Sequence, residues 1–329
     1  MVNTMGSRRA QVRGSGSGSG SASAAGRLAV SLTITLAFVF IEVLAGIWAN
    51  SLALLTDSVH NLTDVIALGL SWYAIRLAAR PASSSRTYGY HRAGILVALL
   101  NSTTLVVISI GIFYEAYQRL VSPPQVQANI LIATAFLALL VNGGTALLLK
   151  PGSDRDLNMR SAFVHLAADA VSTLGAIAAG IGIALTGQQW LDPLASILIG
   201  ALILWNAWGI LRETVEILLE GTPRDIDMDK MVRELMQIPG VRGVHDLHVW
   251  SITQGMRALS AHVVTDDIHI SEGALIQAQI TSVLHDRYGI AHATLQLEFP
   301  GHDPDTLYCN LEHPEHLPEK DVTGMQREK

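Results

Sequence analysis

Thr56-Asp57-Ser58-Val59-His60-Asn61-Leu62-Thr63-Asp64, within the apolar stretch 51–75, and Phe163-Val164-His165-Leu166-Ala167-Ala168-Asp169, within the stretch 160–186, each contain His-x-x-x-Asp. A spacing of four sets both side chains on one helix face, one turn apart. Each stretch is near the roughly 20 residues that carry a helix across about 30 Å of hydrocarbon. An ionisable side chain at that depth costs a few kcal/mol and marks function. Counting about 1.5 Å per residue from an outer edge near Ser51 puts His60 about 14 Å and Asp64 about 20 Å deep. The other stretch enters from an inner edge near Arg160, which leaves His165 and Asp169 about 23 and 16 Å below the outer edge. His60 is then level with Asp169, and Asp64 with His165, so that four ligands converge near the midplane. A single intramembrane His or Asp can serve merely to hydrogen-bond two helices; two matched pairs at matched depth argue for a site.

The surrounding sequence reads as a membrane protein. The chain has 329 residues, half of them hydrophobic and only 15% charged, where a soluble domain averages about 25% charged. Aromatic residues are 6% of the chain, so Ala, Leu, Ile, Val and 28 Gly carry the apolarity, a mix suited to closely packed membrane helices. Four more apolar stretches lie at 28–49, 93–117, 126–149 and 189–211, making six. Glu42 lies inside the first, while Glu115 and Asp192 sit near stretch ends. Residues 1–26 are rich in Gly, Ser and Ala and read as a disordered basic tail. Lys and Arg gather in that tail, in the second-to-third loop (Arg76, Arg80, Arg86, Arg92) and in the fourth-to-fifth (Lys150, Arg155, Arg160), against Arg119 alone on the other side. Positively charged loops stay inside, so both termini are expected in the cytoplasm.

Beyond the sixth stretch the period changes. Met231, Val232, Leu235 and Ile238 predict an amphipathic helix ended by Pro239-Gly240. Strands are expected at Val244–Ile252, Ala258–Thr265 and Thr294–Phe299, with a Gln254-Gly255 turn and a second helix from Ser271, as N-cap, to Tyr288. The α-β-β-α-β order gives a small metallochaperone-like, ferredoxin-like α+β domain, two helices on one face of a three-stranded sheet. The expected division is a tail over 1–26, a six-helix transmembrane domain over 27–213, a cytoplasmic domain over 214–300 and a flexible tail over 301–329.

The charge balance selects the partner. Residues 222–329 hold 9 Lys/Arg and 17 Asp/Glu, which disfavours nucleic acid and favours divalent cations. The one cysteine, Cys309, excludes a disulfide framework or a thiolate zinc finger built within one chain. Two imidazoles and two carboxylates suit Zn²⁺, with Co²⁺ chemically close and the softer Cd²⁺ and Cu⁺ less so. With metal bound, two carboxylates and one dication sum to zero; emptied, the site carries −2. Burying that charge is costly, and protons relieve it. Metal and protons compete for the same lone pairs, so a site facing each side in turn exchanges one for the other. An intramembrane zinc protease is disfavoured, because no His-Glu-x-x-His occurs and four protein ligands leave no position for catalytic water. A non-transporting metal receptor leaves the midplane ligands unexplained.

On these residues, together with Ile41-Glu42, Ser51-Leu52-Ala53-Leu54-Leu55-Thr56-Asp57, Thr87-Tyr88-Gly89-Tyr90-His91-Arg92-Ala93, Asn142-Gly143 and Trp190-Leu191-Asp192-Pro193, the chain resembles the cation diffusion facilitator family over about 28–300. The resemblance implies a homodimer exporting zinc from the cytoplasm in exchange for protons through His60, Asp64, His165 and Asp169, and makes Asp57 a proton relay or a support to the ligands. It also implies that His245, His262 and Glu298 hold regulatory zinc; a two-residue turn at Gln254-Gly255 pairs Leu247 with His262 and makes His245 a diagonal neighbour. A bacterial inner membrane is the expected location. The chain departs from the family at Gly94, where many relatives carry Glu, and at Ser83, Arg86 and Tyr90, where some carry a loop metal site. A histidine-rich loop is also missing, since Lys150–Arg160 has no His.

Overall fold

The computed structural model describes residues 18–153 and 157–299. Six long helices come first: α1 Gly18–Ala49, α2 Leu52–Ala78, α3 Ala93–Val121, α4 Ala128–Ser153, α5 Leu157–Thr186 and α6 Leu191–Leu218. A shorter helix and a sheet follow: α7 Met228–Leu235, β1 Val241–Thr253, β2 Met256–Thr265, α8 Ile270–Tyr288 and β3 Ile290–Glu298. Residues 1–17 and 300–329, which include most of the expected N-terminal tail and all of the C-terminal one, lie outside the described residues. Residues 18–26 are helical rather than tail; Ala22, Ala24 and Ala25 favour helix strongly enough to extend α1 backward.

The chain divides into two compact units. The first takes the chain up to Ala74 with Val97–Leu211, and the second takes Ile75–Leu96 with the chain from Arg212 onward. In the first, α4 packs on α1 and α5, and the shared core is made largely of Ala49, Ala53, Ala135, Ala176, Ala179, Ala195 and Ala207 with Leu54, Leu131 and Ile199. Small side chains let the backbones approach closely; at Gly180 a Cβ would sit 2.7 Å from Ile132 Cγ1. Large apolar side chains face outward instead, among them Trp48, Leu147, Leu185 and Trp205, as a hydrocarbon solvent requires. Among the described residues four helices, α3 to α6, carry spans long and apolar enough to cross a membrane. The described side chains of α1 form a shorter apolar stretch, Thr33–Ala49. In α2, 27 residues long, Asp57, His60, Asn61 and Asp64 dilute the apolarity that the other spans keep.

In the second unit β1 and β2 pair antiparallel, β2 and β3 pair parallel, and the order is β1-β2-β3. Met231 and Leu235 of α7 and Ile276, Ile280 and Leu284 of α8 pack on Leu247, Val249, Leu259, Ala261 and Val263. His262 alternates with these buried residues and stands on the face away from the helices. Asp227 caps α7 by accepting from Lys230 N at 2.9 Å. The second helix starts at Ile270 with His269 at the N-cap position, so Ser271 falls inside the first turn. Gly289 ends it at φ 63, the left-handed conformation glycine adopts without steric cost. Arg257 grips Asp225 at 2.7 and 2.8 Å and the Tyr288 carbonyl at 2.8 Å; its guanidinium holds the Asp225 carboxyl below the usual carboxylate range.

Candidate metal centre

Helical spacing sets His60 Nε2 3.5 Å from Asp64 Oδ2 on α2, and His165 Nε2 3.5 Å from Asp169 Oδ2 on α5. Across the helix pair, His165 Nε2 lies 3.0 Å from Asp64 Oδ2 and His60 Nε2 lies 3.8 Å from Asp169 Oδ1. These are the two pairs that the depth count makes level. The imidazole rings meet edge to face with centroids 6.0 Å apart. Asp64 Oδ2 thus stands between two imidazole nitrogens, and the four side chains form a closed ring of contacts, His60 to Asp64 to His165 to Asp169 and back to His60. Asp169 is 6% exposed; the His165 side chain, at 46%, is the open side of the group.

Behind the group lies a second buried acid pair. Glu42 of α1 and Asp57 of α2, 0% and 3% exposed, lie beside each other. Asn61 Nδ2 donates to Glu42 Oε2 at 3.3 Å, and Thr173 Oγ1 donates to the Asp169 carbonyl at 2.8 Å. Glu42 Oε1 and Asp57 Oδ1 have no hydrogen-bond partner among the described residues. Glu42 was visible in the sequence as an intramembrane acid without an assigned task; its pairing with Asp57 was not, because α1 and α2 carry no local signal for their mutual register.

A third buried acid organises the end of α2. Asp192 of α6 accepts from Leu52 N at 2.7 Å, from Ala53 N at 3.3 Å and from Ser51 Oγ, while Ser51 Oγ accepts from Leu54 N at 3.3 Å. Ser51 thus caps α2 in the ordinary way, and one carboxylate from a distant helix takes up the Leu52 and Ala53 N–H groups as well.

On the cytoplasmic sheet, His245 and His262 are direct partners and not diagonal ones. Leu247, expected opposite His262, is instead in the core beneath the helices. Two irregularities in β1, between Ser251 and Thr253 and between His245 and His248, each insert one residue, and together they move the pairing by two. A single insertion also flips the side chains beyond it to the other face. His262 Nδ1 lies 3.0 Å from Glu298 Oε1 and His245 Nε2 3.3 Å from Glu298 Oε2, and the rings meet at 5.2 Å. Donor atoms of the three residues lie within 4.8 Å of one another, a separation that fits one ion held by two imidazoles and a carboxylate. In the second-to-third loop, the Arg86 guanidinium lies over the Tyr90 ring at 5.0 Å.

The chain matches the cation efflux transmembrane domain over residues 28–219 and the cation efflux protein cytoplasmic domain over residues 223–299. It belongs to the cation efflux family. The cadmium, cobalt and zinc/H(+)-K(+) antiporter of Bacillus subtilis is 40% identical over 268 residues, covering 80% of this chain and 86% of the relative. The zinc transporter ZitB of Escherichia coli is 38% identical over 274 residues, covering 82% and 86%. The metal cation efflux system protein CzcD of Cupriavidus metallidurans is 37% identical over 257 residues, covering 78% and 81%. Among solved structures, the metal-bound C-terminal domain of a CzcD transporter aligns at 32% identity with a TM-score of 0.20, covering 22% of this chain and 99% of that domain. Membership makes the chain an integral membrane transporter of the cation efflux type, a six-helix bundle followed by an α+β domain.

Proposed function

We propose that the chain exports Zn²⁺ from the cytoplasm in exchange for protons, with His60, Asp64, His165 and Asp169 as the ligands of the transported ion. The observation that carries this is the meeting of two imidazoles and two carboxylates from α2 and α5, with cross-helix separations of 3.0 and 3.8 Å. The neutral loaded site and the doubly negative empty one couple the departure of metal to the arrival of protons. Asp57, buried beside Glu42 and three residues from His60, relays a proton to the group. The protein works as a homodimer in a bacterial inner membrane, with both termini cytoplasmic and the membrane domain ending near residue 213. It acts as a transporter and catalyses no covalent chemistry. Zinc on His245, His262 and Glu298 regulates it. This site fits the ion by its donor set, and His245 Nδ1, buried and without a partner among the described residues, leaves Nε2 as the ligand atom.

A second reading, export of several divalent ions, is favoured by the printed activity of the Bacillus subtilis relative, which names cadmium and cobalt beside zinc. Competition among Zn²⁺, Co²⁺, Cd²⁺ and Ni²⁺ for flux into proteoliposomes, with lumenal pH recorded, tests both. Zinc flux unaffected by excess of the others supports the narrow reading, comparable competition supports the broad one, and absence of all flux returns the non-transporting receptor.

A further inference from the structure

The centre on α2 and α5 is closed at one end and open at the other. From Leu52 to Ser58 every residue of α2 but Leu55 is buried. The proposed ligands continue the gradient. The side chains of Asp169 and His60 are 8% and 15% exposed, while those of Asp64 and His165, one turn farther from the Ser51 end, are 26% and 46% exposed. In this conformation an ion therefore reaches the centre from the end away from Ser51. Alternating access requires that whatever closes the Ser51 end open in its turn. What closes it is a polar seam. α1 and α2 meet at Asn50, whose backbone is left-handed at φ 53, and their ends form one tight corner, since a Cβ on Gly46 would lie 2.9 Å from Leu55 Cδ2. Three helices hold that corner. Asp192 of α6 takes the Ser51 hydroxyl and the Leu52 and Ala53 N–H groups. Arg119 of α3 donates to the Asn50 carbonyl at 2.8 Å. Gln127, at the start of α4, donates its backbone N–H to the Ala49 carbonyl at 2.9 Å and its side chain to the Trp48 carbonyl at 2.8 Å.

We propose that Asp192 is the latch of an outer gate: its grip on the α1–α2 corner closes the centre toward the Ser51 end, and an ion leaves on that side only when Asp192 lets go of Ser51, Leu52 and Ala53. The inference rests on the export reading, which puts the Ser51 end outside. The seam is built to part and re-form. A hydrogen bond broken where water can enter is exchanged for one to water, at a small net cost. The corner's share of the apolar core is Leu54 and the alanines Ala49 and Ala53, and alanine presents little area to separate. The helix also survives the opening, because Ser51 Oγ accepts from Leu54 N independently of Asp192 and keeps its place as the cap. One carboxylate thus ties the end of the helix that carries His60 and Asp64 to a helix that carries no proposed ligand.

Thiol chemistry on the full-length chain tests this, with the one cysteine removed by Cys309→Ser. Ser51→Cys and Asp192→Cys, introduced together, replace the polar latch by one that oxidation closes. In proteoliposomes the oxidised pair should carry Zn²⁺ at least about 10-fold more slowly than the same protein after dithiothreitol, as a locked gate requires, while equilibrium dialysis finds as many ions bound per chain. Oxidised protein that is cross-linked by mass spectrometry and carries zinc as fast as the reduced form overturns the gate. A second arm leaves Ser51 in place. Thr56→Cys, buried between Ser51 and His60, is labelled by a membrane-impermeant thiol reagent added outside intact cells. Adding Asp192→Ala should speed that labelling at least about 10-fold, because it removes contacts made only in the closed state. Ala207→Cys, buried toward the other end of α6, should label no faster. Unchanged labelling of Thr56→Cys, or equal acceleration at both positions, overturns the gate. If the Cys309→Ser parent carries no zinc, the export reading falls and the labelling alone decides the latch, as it does if the cysteine pair fails to fold or to cross-link.

Discussion

Asp64 and Asp192 are acids of one helix bundle, and their surroundings set them different tasks. Asp64 Oδ2 has two imidazole nitrogens within 3.5 Å, an arrangement that an incoming cation completes. Replacing Asp64 or Asp169 by Ala should lower zinc flux in proteoliposomes by more than about 100-fold, since even residues that only orient metal ligands typically cost 10–100-fold. The chain should remain folded by circular dichroism. Asp192 instead meets only donors, the first backbone N–H groups of α2 and Ser51. Asp192→Ala leaves those groups unpaired and should destabilise the membrane domain by about 1–2 kcal/mol, the usual size of a lost helix cap, read as a lower thermal midpoint in detergent. The His-x-x-x-Asp pairs were legible from sequence because helix rise and bilayer thickness fix both their spacing and their depth. The Asp192 cap was not, because its partner lies 140 residues away in the chain and no periodicity reports it.

Among the elements, β1 shows where sequence pattern stops. Its turn at Gln254-Gly255 and its alternation were readable, but an inserted residue leaves composition and alternation on either side intact, so the pairing of His245 with His262 emerges only with backbone geometry. The left-handed glycines are more predictable. Gly240 holds φ 92, and a Cβ there would fall 2.6 Å from Ile276 Cδ1; Gly240→Ala should destabilise the cytoplasmic unit by about 1–3 kcal/mol, combining backbone strain with overpacking, measurable by chemical denaturation. The loop before α7 is tied down by charge. Arg257 depresses the Asp225 carboxyl through a hydrogen bond first and its charge second. A carboxyl depressed in the fold stabilises above its unfolded value of about 3.9 and ceases to as pH falls through the folded value. Asp225→Asn should thus lower the melting temperature at pH 7, and the gap to wild type should close as pH falls below the unfolded value and on through the lower folded one.

For the whole molecule, the six-helix and α+β plan was readable because two solvents impose two periods, apolar spans in the first part and amphipathic elements in the second. The start of α1 at Gly18 was not, since a Gly/Ser/Ala stretch reads as tail until alanine propensity is weighed against it. The proposed transport logic uses the same plan: a dication neutralised by two carboxylates within the bundle leaves as protons arrive. The measurement closest to that claim is simultaneous recording of Zn²⁺ entry and lumenal pH in proteoliposomes of the purified chain, with Asp64→Ala and Asp169→Ala alongside. The account predicts that zinc entering the lumen drives protons out of it, that an imposed proton gradient drives zinc uphill, and that both variants abolish the two fluxes together. Zinc entry at full rate with no opposing proton movement, or undiminished zinc flux in both variants, would contradict it.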